Sequence, residues 1–364
     1  MTRSGNALPI RGFEPARNRA PAPAGPTSMA VAARRLRAAA LGGGTGLPLV
    51  LRGLKRSMFG EASSSMLARD GDRLTAVVTV ADDGGSSGRL RQAYRMLPPG
   101  DIRNCLLALS NAQSTLAPLF NFRFAGQGEI GGHSLGNLIL SALSDLQGDF
   151  CGAVEQAGRL LGIRGRILPV TLDQVGLEAE FDDGSLVEGE SRIPAVRGRI
   201  RRVRLRPRGA RVLPEAAAAI EAADIVVIGP GSLYTSLIPI LLVDGVVDAA
   251  ARCRGRVVLA MNLMTEPGET DDYTAVDHVL AIRRHAPRLR IDDVVINTAP
   301  IPRPLLRRYS TERAVPVAPD GEILRALGYR AVQCDLLSSD EKVRHDPEKL
   351  TQALLQAAIN REAQ

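Results

Sequence analysis

Gly42, Gly43, Gly44, Thr45 and Gly46 join a short apolar run, 36–41, to a periodic apolar stretch, 47–54. Strand, glycine elbow and helix start follow one another there, at what becomes the carboxyl edge of an α/β sheet. Free backbone N–H groups at the helix N-terminus, with the macrodipole behind them, suit a phosphate or another anion. Glycine is needed because a Cβ would hold the ligand off the backbone. The spacing narrows the reading. Leu47 and Leu49 stand where a dinucleotide fingerprint requires its third glycine, and no Gly-Lys-Ser/Thr follows. The one acid about 20 residues on is Glu61, in a serine-rich loop rather than at a strand end. An ordinary NAD enzyme or P-loop NTPase is therefore disfavoured. Taken alone, the glycine run is equally a tight structural turn.

The surrounding pattern supplies the fold class. β-rich runs at 36–41, 74–81, 167–172, 224–229, 256–262 and 292–297 alternate with helical runs at 47–58, 102–110, 134–146, 214–223, 243–253 and 275–285. That rhythm predicts an α/β protein with a Rossmann-like, doubly wound, mostly parallel sheet. The runs 225–228 and 257–260 are apolar throughout, as strands covered on both faces are. One segment, about 173–206, departs from it. Strands at 175–181 and 186–191 flank the turn signal Asp182-Asp183-Gly184, and 198–205 makes a third, giving a small antiparallel β insertion. Nine arginines lie between Arg192 and Arg211 with no acid among them. They suit either a docking face for an anionic partner or a solvated strand face, and the second is preferred.

Composition excludes several classes. The chain of 364 residues is 45% hydrophobic and 23% charged, ample for a core in one large domain, here 35–345, with a C-terminal helix over 346–364. Aromatics total 3% and tryptophan is absent, which leaves little for base stacking. The net charge of +7 is concentrated in the first forty residues, where seven arginines face Glu14 alone. Specific nucleic-acid binding is thus not expected. Residues 1–34 read as a disordered Arg/Pro-rich tail, and Met29 is an alternative start. No signal-peptide core or membrane-length segment is seen, so a cytoplasmic chain without membrane contact is expected. Cys105, Cys151, Cys253 and Cys334 have no metal-ligand spacing.

Five polar, glycine-rich segments fall after predicted strands or at helix starts. The first runs from Asp82-Asp83 through Gly84-Gly85-Ser86-Ser87 to Arg89. Its paired carboxylates could hold Mg²⁺ or accept from ribose hydroxyls, while Ser86 and Ser87 offer donors. At Pro98-Pro99-Gly100-Asp101 a helix begins, with Asp101 as its N-cap, and Arg103 and Asn104 in its first turn suit an anion. His133 and Asn137 lie four apart on one face of a helix capped by Ser134. The pair His133-Ser134 lacks a nucleophile elbow, so ligand recognition outranks hydrolysis. Gly229, Gly231 and Ser232 form a second elbow, and Thr265 stands in the polar run 262–273, both where an open α/β sheet keeps its ligand.

These motifs, with Gly-Pro-Gly-Ser-Leu-Tyr-Thr-Ser at 229–236 and Asn-Leu-Met-Thr-Glu-Pro-Gly-Glu-Thr-Asp at 262–271, resemble the YvcK-type gluconeogenesis factors, relatives of the 2-phospho-lactate transferase of deazaflavin coenzyme synthesis. The resemblance covers roughly 35–337. It implies a cytoplasmic bacterial protein that binds a nucleotide sugar such as UDP-N-acetylglucosamine. The implied role is in cell shape and envelope synthesis during gluconeogenic growth, through a protein partner, with a homo-oligomer open. Residues 42–46 and Asp82 and Asp83 would face the ligand. Tyr273 matches the family's nucleotide-sugar aromatic, and a family arginine falls among Arg303, Arg307 and Arg308, with Arg307 taken for it. The alternative is a Mg²⁺-dependent transferase acting on a nucleotide-diphosphate substrate, like the transferase relatives.

Overall fold

A computed structural model describes residues 33–60, 71–111 and 114–359. Nearly all of the expected N-terminal tail, including Met29, and residues 360–364 of the expected C-terminal helix lie outside the described residues. The first half of the chain runs β1 (Ala38–Gly42), α1 (Gly46–Phe59), β2 (Leu74–Val78), α2 (Gly85–Tyr94), α3 (Gly100–Leu109), α4 (Ala117–Asn121), α5 (Leu135–Gln147), α6 (Phe150–Leu161) and β3 (Arg166–Pro169). The insertion follows, with β4 (Gly176–Phe181), β5 (Leu186–Glu188), α7 (Ile193–Val196) and β6 (Ile200–Arg206). The chain then returns through α8 (Pro214–Glu221), β7 (Ile225–Ile228), a π-helical turn (Leu233–Leu237), α9 (Ile238–Leu241), α10 (Val246–Arg252) and β8 (Arg256–Ala260). It closes with α11 (Ala275–His285), β9 (Asp293–Asn297), α12 (Arg303–Ser310), α13 (Gly321–Ala326), β10 (Arg330–Cys334) and α14 (Pro347–Ile359).

Seven parallel strands lie in the order β10-β9-β8-β7-β1-β2-β3. The chain starts in the middle, winds outward through β2 and β3, and returns to the other flank of β1 at β7. The order therefore reverses between β1 and β7, the point at which an open α/β sheet leaves a crevice beyond its strand ends. Both strands are fully buried, as their unbroken apolar runs require. The insertion is a separate three-stranded antiparallel sheet, β5-β4-β6, whose strand positions match the expected ones closely. Three of its arginines, Arg201, Arg204 and Arg206, pair with carboxylates of the neighbouring strand. Arg206 is bidentate to buried Glu178 at 2.7–2.9 Å, and Arg204 reaches Glu180 at 2.7 Å. Cross-strand pairing thus accounts for part of that charge run.

Several elements depart from the sequence reading, among them the edge strand β10 and helices α4, α12 and α13, which it does not place. Gly85–Tyr94 is helical where a long polar loop is expected; its Gly and Ser content opposes helix, and burial of Ser86, Ser87, Gly88 and Leu90 overrides it. Phe150–Leu161 is a full helix, with Asp149 accepting from the Cys151 and Gly152 amides and Gly162 closing it in the left-handed region. Asp101 caps nothing. Its helix starts one residue earlier, at Gly100, and the Asp101 carboxylate accepts from the Gly44 N–H at 2.8 Å.

The two glycine elbows touch. A Cβ on Gly46 would lie 2.1 Å from the Pro230 carbonyl oxygen, backbone of the second elbow. Gly46→Ala should therefore destabilise the fold by about 1–3 kcal/mol. Gly71→Ala, where a Cβ meets nothing within 4 Å, should stay within about 0.5 kcal/mol of wild type. Chemical denaturation of the two variants checks the pair, and equal midpoints would contradict the contact.

Candidate functional site

Three strand ends build the site. After β1, Gly44 adopts a left-handed φ of +61°, and its N–H is held by Asp101. Gly43 passes so close to Asp101 that a Cβ there would sit 2.6 Å from Oδ2. After β7, Gly231 is gripped at both backbone groups by Asn262, which follows β8: its N–H donates to Asn262 Oδ1 at 3.1 Å, and its carbonyl accepts from Nδ2 at 2.9 Å. Glu269 holds the next turn, accepting from the Tyr234 N–H at 3.2 Å and the Thr235 hydroxyl at 2.8 Å. Thr265 braces the β8 loop by accepting from the Val315 N–H at 3.0 Å. Side chains from one strand end thus fix the backbone of another.

Above these loops opens a crevice of about 860 Å³. Of the site residues expected from sequence, Gly44, Thr45, Gly46, Asn104, Gly231, Ser232 and Thr265 line it. Gly42, Gly43 and Gly229 supply the backbone beneath. The far wall comes from Arg52 of α1, Leu107 of α3, Pro118 of α4, and Tyr309, Glu312, Arg344 and His345. None of these far-wall residues was legible as a site residue: they belong to helices and segments whose neighbours only the tertiary fold decides.

The other expected residues form a second, buried group beside the crevice. Asn137 Nδ2 donates to Ser86 Oγ at 3.0 Å, and Ser86 Oγ also meets His133 Nδ1 at 2.9 Å. Burial, and then Arg89 and Arg123, push the His133 imidazole below its usual pKa. Arg103, also buried, donates to Ser134 Oγ, the expected α5 cap, and to Asn104 Oδ1 at 2.7 Å. Asn104 thereby joins this group to the crevice. Ser87 packs against Gly100, where a Cβ would lie 2.3 Å from its hydroxyl.

The paired carboxylates divide. Asp82 Oδ1 accepts from the Gly84 N–H at 2.9 Å. Asp83 uses both oxygens on the insertion, accepting from the Glu190 and Ser191 amides at 3.0 and 2.9 Å. Among the described residues no three His, Cys, Asp or Glu are placed to hold a metal ion. Tyr273 lies outside the crevice lining, half-buried, its hydroxyl 2.9 Å from that of Tyr234. Its reach to the second elbow runs through Tyr234. Arg307 and Arg303 are exposed on α12, next to the wall that Tyr309 lines, and Arg308 donates to the Glu341 carbonyl at 3.3 Å.

Acids shielded from solvent surround the loops, Glu269 buried and Asp101 and Glu190 half-buried. Burial raises Asp101 to about 6, against the Gly44 N–H that lowers it, with Asp82 adding to the rise. Glu269 is raised to about 7 by burial and by Glu266 beside it, and Glu190 to about 8 by burial and then by Asp82 and Asp83. A raised acid binds its proton more tightly folded than unfolded, so its share of stability is present at low pH and declines as pH climbs. For Glu190 the decline spans 4.5 to about 8. Glu190→Gln should therefore gain thermal stability relative to wild type on going from about pH 5 to about pH 8.5. A difference in Tm that stays flat across that range would contradict the burial of this carboxyl.

Known proteins share this architecture. The family described as 2-phospho-L-lactate transferase CofD matches residues 39–337. A Bacillus subtilis protein named gluconeogenesis factor is 43% identical over 318 residues, 87% of this chain and 96% of its own. One of the same name from Halalkalibacterium halodurans is 42% identical over 316 residues, 86% and 94% of the two chains. A crystal structure of a Bacillus halodurans protein superposes with a TM-score of 0.81 at 42% identity, covering 88% of this chain and 99% of that one.

Proposed function

We propose, given that the chain belongs to the CofD family, that its crevice binds a nucleotide sugar of the UDP-N-acetylglucosamine kind. Binding makes the protein a regulator of cell shape and envelope synthesis during growth on gluconeogenic carbon, acting through a protein partner. The observation that carries the reading is the contact of two glycine elbows at the reversal of strand order, beneath a crevice of about 860 Å³. A cavity of that size suits a ligand larger than a free phosphate. The relatives' name, gluconeogenesis factor, supports the physiological part. Among the described residues no helix is long and apolar enough to cross a membrane, which fits a cytoplasmic site of action.

A second reading has its own observation. Asp101, Glu266 and Glu269 border the elbows with raised pKa values, as groups that trade protons in catalysis do. With the family's name, that favours a transferase acting on a nucleotide-diphosphate substrate. Any Mg²⁺ it used would arrive with the substrate phosphates and find Asp82 nearby, since Mg²⁺ is commonly held by one or two carboxylates plus phosphate.

A thermal-shift panel of UDP-sugars, GDP, NAD and Mg²⁺ separates these readings. UDP-N-acetylglucosamine at about 100 times its Kd should stabilise by about 2.7 kcal/mol and raise Tm by on the order of 5 °C. It should not be turned over, with or without Mg²⁺. Tyr273→Ala, which removes the partner of the Tyr234 hydroxyl, should reduce that shift while the unliganded protein stays folded. A panel in which no nucleotide moves Tm would sink the proposal, and turnover of the stabilising ligand would replace it with the transferase.

A further inference from the structure

The two elbows offer a diphosphate only neutral N–H and hydroxyl donors, and acids stand around them. Asp101 touches the first elbow, Glu269 holds the second, and Glu266 borders the crevice. A ligand with about two negative charges needs a cation there. The sequence motifs carry no lysine, and Lys55, on α1, is occupied: its ammonium donates to the Ala108 and Ser110 carbonyls at 2.9 and 2.8 Å. Arg56, a turn further along α1 from Arg52, is paired with Glu348.

Arg52 and Arg344 are different. Both line the crevice, one from α1 and one from the segment preceding α14. Among the described residues neither has a carboxylate at ion-pair distance, although Glu312 and Glu266 line the same cavity. Both are solvent-exposed at the crevice wall, and desolvation first and the Arg344 charge second lower the Arg52 pKa. Two like charges sharing a cavity repel one another, and an anion between them relieves that repulsion. Arg52 lies six residues beyond Gly46, about 9 Å along the helix axis. Both residues line the same crevice.

We propose that Arg52 and Arg344 form a guanidinium clamp on the diphosphate of the ligand, supplying the positive charge that the glycine elbows lack. The proposal rests on the nucleotide-sugar reading of the crevice and assigns the groups that select its diphosphate. Planar guanidinium groups bind phosphate through paired N–H donors, a geometry lysine does not reproduce.

The test is calorimetric binding of UDP-N-acetylglucosamine and of inorganic pyrophosphate to wild type, Arg52→Gln, Arg344→Gln and Arg52→Lys, with Tm of each unliganded protein. Each Gln substitution should weaken both ligands about tenfold or more, and Arg52→Lys should recover only part of the loss. Tm without ligand should be unchanged or higher, because a repulsion has been removed; a merely structural arginine would lower it. Unaltered binding of both ligands by the two Gln variants overturns the clamp and leaves nucleotide binding intact. Wild type that binds pyrophosphate but no nucleotide, with the pyrophosphate lost in the Gln variants, keeps the clamp and discards the nucleotide reading. Wild type that binds neither overturns both.

Discussion

Everything at the ligand edge depends on a steric constraint: the backbones of residues 43–46 and 229–231 meet with no room for a Cβ between Gly46 and the Pro230 carbonyl. The parallel order of β7, β1 and β2 brings the two elbows side by side, and the reversal of winding leaves space above them. Neither elbow is rigid by itself. Asp101 fixes the first and Asn262 and Glu269 fix the second, each through hydrogen bonds from a side chain to backbone. The crevice floor is therefore one mechanical unit made from four strand or helix ends.

That unit carries an electrostatic tension. Fixing backbone N–H groups with carboxylates is effective, because charge-assisted hydrogen bonds are strong. It also leaves negative charge where a phosphate is to bind. The protein relieves this in two ways. Burial raises the pKa of Asp101 and Glu269, so these acids hold protons nearer neutrality than exposed ones do. Arg52 and Arg344 face the same cavity from the opposite wall. Asp83 illustrates the other use of an acid here, tying the antiparallel insertion to the end of β2 through two amides.

Much of the fold was legible because its signals are local. Fully apolar runs such as 225–228 can only be covered strands, and Asp182-Asp183-Gly184 places the turn of the insertion. The elbows were legible for the same reason: glycine at Gly44 answers a backbone need that no other residue meets cheaply. What stayed hidden depends on distant partners. Asp101 has every mark of a cap, and only the neighbouring β1 loop turns it into a clamp. Tyr273 reads as a ligand contact by resemblance, and the hydrogen bond between its hydroxyl and that of Tyr234 is a tertiary contact the sequence does not announce. Arg52 and Arg344 are ordinary surface arginines in sequence, separated by nearly the whole chain, and only the packing of α14 against α1 brings them to one cavity.

If both elbows grip one ligand, its binding must be felt at both. Hydrogen–deuterium exchange with and without UDP-N-acetylglucosamine reads this at the residues concerned. Ligand is expected to slow amide exchange together at 42–46, 229–236 and 262–270. Protection confined to one elbow, or to a surface away from both, would contradict a shared grip.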